Sequence, residues 1–300
     1  MKKHPILTFI LFLSVLFIAA IGVMALAMSV STGKTPSFSK KPVAIVMVEG
    51  PIFDSLDVLK ELEELRVNDK IKAVVLRLDS PGGAVAPSQE IFEQVLKLKK
   101  EKPVVVSMGS MAASGAYYIA CGADKIVANP GSVTGSIGVI LKSFGLQEVI
   151  KKLFVESRVI KSGSHKDVGD PFKDLTEEDR SYLQNITDNI YGQFTKAVAQ
   201  HRNLDIANAH TFAEGKIFTG EQAKEIGLVD TLGNIYVAID EAKKMASLPN
   251  DAGVKWPKEP TPFEQFFQGN HAKSILDFVM QKYQILQLPL FMLGINEETT

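Results

Sequence analysis

Two short stretches of this 300-residue chain carry residue types suited to acyl-transfer chemistry. The first is Asp79-Ser80-Pro81-Gly82-Gly83, directly after an apolar run. Its two glycines leave backbone N–H groups unhindered and able to face a developing negative charge. A tight turn that needs positive φ would use the same residues. The second is Gly109-Ser110-Met111-Ala112-Ala113-Ser114-Gly115-Ala116-Tyr117-Tyr118. A serine at a strand-to-helix turn, ringed by small residues, is presented in the manner of a nucleophile elbow, although G-x-S-x-G itself is absent. The same Ser114 could equally cap a helix. Neither stretch is a phosphate cradle, because G-x-G-x-x-G and G-x-x-x-x-G-K-[ST] are both missing.

The elements needed to position these loops can be read along the chain. Apolar runs at 43–48, 72–78, 103–108 and 125–128 have the length and composition of strands, and the apolar spacing predicts a last clear strand at 154–160. Helical spacing falls at 54–66, 89–100 and 113–121, and a long helix is expected over 176–200. Thr176-Glu177-Glu178-Asp179 opens it with a capping-box pattern and acids in the first turn. Continuous apolar strands separated by helices imply an α/β fold with a mainly parallel sheet covered on both faces. In such sheets ligands sit in the loops after strand C-termini, where both candidate stretches fall.

Composition narrows the function. With 33 Lys+Arg against 34 Asp+Glu, and only five of the cations arginine, the chain lacks the basic surplus that nucleic-acid binding needs. The single cysteine, Cys121, allows no intramolecular disulfide and no thiolate metal site, and reads as a small buried apolar residue. His201, His210 and His271 show no metal-ligand spacing, so neither metal nor cofactor is expected. Residues 6–30 carry no charge and, as a helix, would span about 37 Å, enough to cross a bilayer. Lys2 and Lys3 before them favour a cytoplasmic N-terminus of residues 1–5. Ala25-Leu26-Ala27 also offers a signal peptidase an A-x-A site. A polar linker at 31–41 leads into a domain over 42–250, and 251–300 form an apolar, amphipathic tail whose charges interrupt a second span.

S-P-G-G followed some thirty residues later by A-A-S-G resembles the signal peptide peptidase A (SppA) family of membrane-bound serine proteases. Further stretches agree, namely 123–128 (ADKIVA), 134–139 (TGSIGV), 161–167 (KSGSHKD), and Thr219-Gly220 through Gly227-Leu228-Val229-Asp230. The resemblance spans residues 43–245 as one half-length copy, and implies a crotonase/Clp-protease-like fold. It makes Ser114 the nucleophile and Lys166 the general base, with Gly83 and Gly115 N–H groups forming the oxyanion hole. Ser136 is the hydroxyl it implies for orienting the lysine, with Ser132 close by in sequence. A lysine at its ordinary pKa near 10.4 is neutral in only about one molecule in several thousand at pH 7. The resemblance therefore implies Lys166 desolvated beside Ser114 when substrate is bound. His165 offers a competing histidine-based triad. Ala116 stands where relatives commonly have a second glycine, which could narrow the pocket.

Together these readings lead to the expectation of a single-pass, inner-membrane Ser/Lys endopeptidase with its catalytic domain outside the cytoplasm. Its substrates would be cleaved signal peptides and similar apolar peptides, and the family implies a homo-oligomeric ring. In a half-length chain, Ser114 and Lys166 of one site could come from neighbouring subunits. A crotonase-like acyl-thioester enzyme and a non-catalytic membrane scaffold are the alternatives.

Overall fold

The computed structural model describes residues 41–257. The expected span at 6–30, the expected linker at 31–41 apart from its last residue, and the expected tail beyond residue 257 lie outside the described residues. Among the described residues no helix is long and apolar enough to cross a membrane.

Strand β1 (Val43–Glu49), helix α1 (Leu56–Val67), strand β2 (Ala73–Ser80), helix α2 (Val85–Lys99) and strand β3 (Val104–Ala113) build the centre of the sheet. After them come α3 (Gly115–Cys121), β4 (Lys125–Ala128), β5 (Val133–Gly135), α4 (Gln147–Lys152) and α5 (Glu177–Arg202). The chain continues through α6 (Ala209–Phe212), β6 (Ile217–Thr219), α7 (Gly220–Glu225), β7 (Thr231–Leu232), α8 (Ile235–Met245) and β8 (Val254–Lys255). The sheet runs β6-β5-β3-β2-β1-β8, with β4 pairing β3 and β7. Among the described strands only β5 and β6 pair antiparallel. Strand β8 pairs β1 at Val43↔Val254, so the sheet continues past residue 250.

Successive residues of a strand point to opposite faces, and both faces here are apolar. In β1, Ala44, Val46 and Val48 join the larger core with Leu76, Val106, Ile91, Tyr117 and Phe194, beneath α2, α3 and α5. Val43 and Ile45 point the other way, against Val75, Val105 and the α8 residues Ala238, Ile239 and Ala242. This two-sided burial explains why the central strands read as continuous apolar runs rather than alternating ones.

Arg202, at the end of α5, sends both terminal nitrogens to Asp230 (2.6 and 3.0 Å) and Nε to the Gly227 carbonyl. Asp230 in turn accepts from the Ile126 N–H of β4 at 2.7 Å. The Gly227-Leu228-Val229-Asp230 motif thus ties the long helix to the sheet.

The expected strand at 154–160 does not form. Residues 155–161 have no regular structure, and Phe154 and Ile160 are 99% and 103% exposed. A strand needs a partner edge as well as apolar residues, and this stretch pairs with none of the described strands. The four short strands β5 to β8 are not announced by the sequence, because two or three residues are too few to show a period.

Candidate active site

The site begins with an irregularity in β3. The β2–β3 ladder pairs Leu78↔Met108 and resumes at Ser80↔Ala112, so residues 109–111 oppose Asp79 alone. The Asp79 carboxylate fills this bulge and accepts from the Met111 N–H at 3.2 Å. On the other side Ser132 Oγ donates to the Gly109 carbonyl and Asn129 Nδ2 to that of Met108. The bulge lets β3 exchange neighbours, pairing β4 over residues 105–107 and β5 over 111–113. Extra residues of this kind re-aim the chain beyond them, and here they aim Ser114.

Ser114 joins β3 to α3 with φ 55° and ψ −121°. A non-glycine residue there stores on the order of 1–3 kcal/mol that the surrounding structure must overcome. Three contacts hold it. Its N–H donates to the Gly135 carbonyl of β5 at 2.8 Å, its carbonyl accepts from Tyr118 N–H at 2.9 Å, and α3 behind it is wholly buried. The hydroxyl itself has no hydrogen-bond partner among the described residues, although the residue is only 1% exposed. The capping role fails on the same observation, since Ser114 makes no side-chain cap bond to α3. Buried polar atoms are normally paired, so this one is held ready rather than used structurally.

The glycine loop closes against the elbow. Gly83 forms a one-residue parallel bridge with Ile52, made through the N–H groups of Ile52 and Ala84, which leaves the Gly83 N–H directed away from that bridge. A side-chain carbon at Gly83 would fall 2.1 Å from the Ile52 carbonyl oxygen, so only glycine fits. One at Gly115 would lie 3.3 Å from the Gly83 nitrogen and 2.4 Å from Ser88 Oγ. Gly115, as the first residue of a helix, has an N–H without an intrahelical partner. Ser80 Oγ accepts from Gly82 N–H at 3.0 Å and shapes the loop. Gly83 and Gly115 therefore pack against each other in one buried corner, next to the turn that carries Ser114.

Ser136 follows Gly135, the residue whose carbonyl accepts from Ser114, and its own N–H donates to Lys216 at 2.7 Å. Ser132, the neighbouring alternative, is spent on the bulge. Lys166 occupies an exposed turn in the 138–175 segment, forms no ion pair among the described residues, and is not hydrogen-bonded to Ser114. His165 is not hydrogen-bonded to Ser114 either. Its ring stacks on Tyr182 of α5 at 4.8 Å, beside Glu178 and Asp179. Cys121 is buried, and its thiol is pushed up to about 12, mainly by desolvation, which removes it from thiolate chemistry. No cluster suited to a metal ion occurs among the described residues.

Asp79 and Ser80 belong to the first stretch but carry no assigned role in the sequence, and Asn129 and Ser88 lie outside both stretches. Ser88, five residues past Gly83, is the one that nearness to the glycine loop could have found.

A mainly parallel sheet with a strained serine at the end of a central strand, packed against a two-glycine loop, is the arrangement of a Clp-protease-like peptidase. Comparison with known families agrees. The Clp protease model matches residues 41–134, and the peptidase family S49 model matches residues 96–249. A Synechocystis sp. protein with a protease name is 40% identical over 78% of this chain and 86% of its own length. A similarly named Methanocaldococcus jannaschii protein is 36% identical over 85% and 87%. An Enterococcus faecium protein named for the signal peptide peptidase SppA is 35% identical over 71% of this chain and 62% of its own. The chain belongs to peptidase family S49.

Proposed function

We propose that this chain is a membrane-anchored serine endopeptidase that hydrolyses apolar peptides, cleaved signal peptides among them, through an acyl-enzyme ester on Ser114. The observation that carries this reading is the buried Ser114 hydroxyl without a partner, set in a strained turn against Gly83 and Gly115. In the reaction, Ser114 Oγ attacks the scissile carbonyl and its proton passes to neutral Lys166 Nζ. The oxyanion that forms is met by the N–H groups of Gly83 and Gly115, each such donor supplying about 3 kcal/mol of transition-state stabilisation. Lys166 returns the proton to the departing amine, then activates the water that cleaves the ester, with the Ser136 hydroxyl orienting it.

Because Lys166 is exposed in its own protomer, the base for each Ser114 comes in this reading from a neighbouring subunit of a homo-oligomeric ring. The same contact would bury Phe154 and Ile160 beside it. The uncharged 6–30 segment anchors the ring in the cytoplasmic membrane with the catalytic domain outside, which concentrates enzyme and lipid-embedded substrate on one surface. The name of the Enterococcus faecium relative supports the substrate class.

The test uses the full chain in detergent with a fluorogenic peptide bearing small and apolar residues before the reporter. Turnover by wild type, with none from equally folded Ser114→Ala or Lys166→Ala, is the expected result. Mixing those two inactive proteins under subunit exchange should restore activity; silence from confirmed mixed oligomers would remove the shared site. Thioester turnover by Ser114→Ala would instead favour a crotonase-like enzyme, and equal peptide turnover by all three proteins would sink the dyad.

A further inference from the structure

The turn that carries Lys166 is bound to α5 by a chain of charges. Lys173 Nζ lies 3.1 Å from Asp179 Oδ2 and 3.3 Å from Asp167 Oδ1. Lys161 Nζ reaches the same Asp167 oxygen at 2.5 Å and donates to the Ser164 carbonyl at 2.6 Å. Asp179 closes the capping box of α5 with Thr176, so the chain ends on the first turn of a 26-residue helix. His165 adds a second tether one turn along, where it stacks on Tyr182 with 13° between the rings, Glu178 and Asp179 standing 3.7 and 3.9 Å from its nitrogens.

Exposed ion pairs commonly contribute little. These differ in that the two carboxylates are only 12% and 6% exposed and share one ammonium, forming a network rather than an isolated pair. Both acids of the ladder are satisfied by Lys161 and Lys173. Lys166, between His165 and Asp167 in sequence, is left as the cation of this turn without an ion pair among the described residues.

We propose that Lys173 and Asp167 are positioning residues for the base. Lys173 couples Asp167 to the α5 N-terminus and fixes the backbone of the Lys166 turn. By engaging Asp167 together with Lys161, it also keeps that carboxylate from pairing with the adjacent Lys166 ammonium. This rests on the assignment of Lys166 as the base.

The test compares full-length wild type, Lys173→Met, Lys173→Arg, Asp167→Asn and the double variant Lys173→Met/Asp167→Asn in detergent, with Lys166→Ala as reference. Steady-state constants across pH are measured on the fluorogenic peptide, and thermal unfolding checks the fold. Lys173→Met should lower kcat about tenfold to a hundredfold with KM little changed, as expected of a misplaced catalytic group. It should also move the acid limb of kcat/KM to higher pH by up to about one unit, because the Asp167 carboxylate, then held by Lys161 alone, favours the charged Lys166. Lys173→Arg should restore most of both. The double variant should return the limb to its wild-type position while kcat stays low.

An unmoved acid limb and wild-type kcat in Lys173→Met, with Lys166→Ala inactive, would overturn the proposal and leave the base assignment intact. Activity in Lys166→Ala would overturn the assignment instead. If Lys173→Met does not fold, Asp167→Asn decides alone, since wild-type kcat there would exclude a positioning role.

Discussion

The two regions that this reading joins in one reaction are built in opposite ways. Around Ser114 the chain is mostly buried, the Ser114 N–H and carbonyl are both hydrogen-bonded, and the bulge at residues 109–111 is closed by Asp79, Asn129 and Ser132. Around Lys166 the backbone makes turns, apolar side chains face solvent, and the ordering comes from charges on α5. A nucleophile with φ 55° persists only where surrounding bonds over-determine it, which a closed core provides. A segment with little core of its own can instead be completed by another surface. The contrast teaches that the strained serine turn is supported by the core around it, whereas the Lys166 turn is ordered by charges at the surface.

The sharpest way to break this contrast is at its most rigid point. Ser114→Ala should abolish peptide turnover, a loss of about 10⁴-fold or more, with no cost in thermal stability because the hydroxyl has no bond to lose. Ser114→Gly should be equally inactive and more stable by about 1 kcal/mol, read in denaturant melts, as glycine accepts positive φ. A destabilised Ser114→Gly would show that the turn is not strained.

Next in size is the glycine corner. Gly83→Ala should lower kcat by about 10²–10³-fold through displacement of an oxyanion donor, and its added carbon should break the bridge to Ile52. Hydrogen exchange at Ala84, whose N–H bonds the Ile52 carbonyl, would report the break.

Arg202→Met tests whether the long helix serves the core rather than the chemistry. It should cost about 3 kcal/mol of stability, since it leaves Asp230 without its partner, while kcat of the folded fraction stays unchanged.

The smallest effect concerns the Lys166 turn. Hydrogen bonds from Lys161 first, then from Lys173, hold the Asp167 carboxyl below the usual carboxylate range. Thr176 and Lys173 do the same for Asp179. With folded values depressed, their contribution is complete above the unfolded value of about 4 and fades as pH falls through the folded values. Hydrogen-exchange protection of residues 161–182 should therefore be equal at pH 7 and pH 5 and weaken only in stronger acid. Loss already at pH 5 would show that the ladder does not order the turn.

Much of the fold was legible because its causes are local. The apolar runs at 43–48 and 125–128 became β1 and β4, and Thr176 with Asp179 closed the capping box that the sequence displays. The run at 154–160 misled for a physical reason, since apolar β-branched residues form a strand only where an edge is available. Strand β3 runs five residues beyond its expected end at 108, because Met111 to Ala113 find a partner in β5, whose position no local pattern announces. Gly227-Leu228-Val229-Asp230, matched by resemblance, proved to be a staple for Arg202.

By itself the sequence determined the alternation of strands and helices, the parallel sheet that continuous apolar strands require, and the loops in which Ser114 and Gly83 stand. Those properties come from periodicity and from side chains that either fit or cannot fit a backbone. Only the tertiary structure decided that Gly83 and Gly115, thirty-two residues apart, place their nitrogens in one corner. That proximity depends on the register between β2 and β3 and on the three residues set against Asp79. It also left the Lys166 turn docked on α5 and outside the core, because the ion pairs that hold it are made between side chains brought together by the fold.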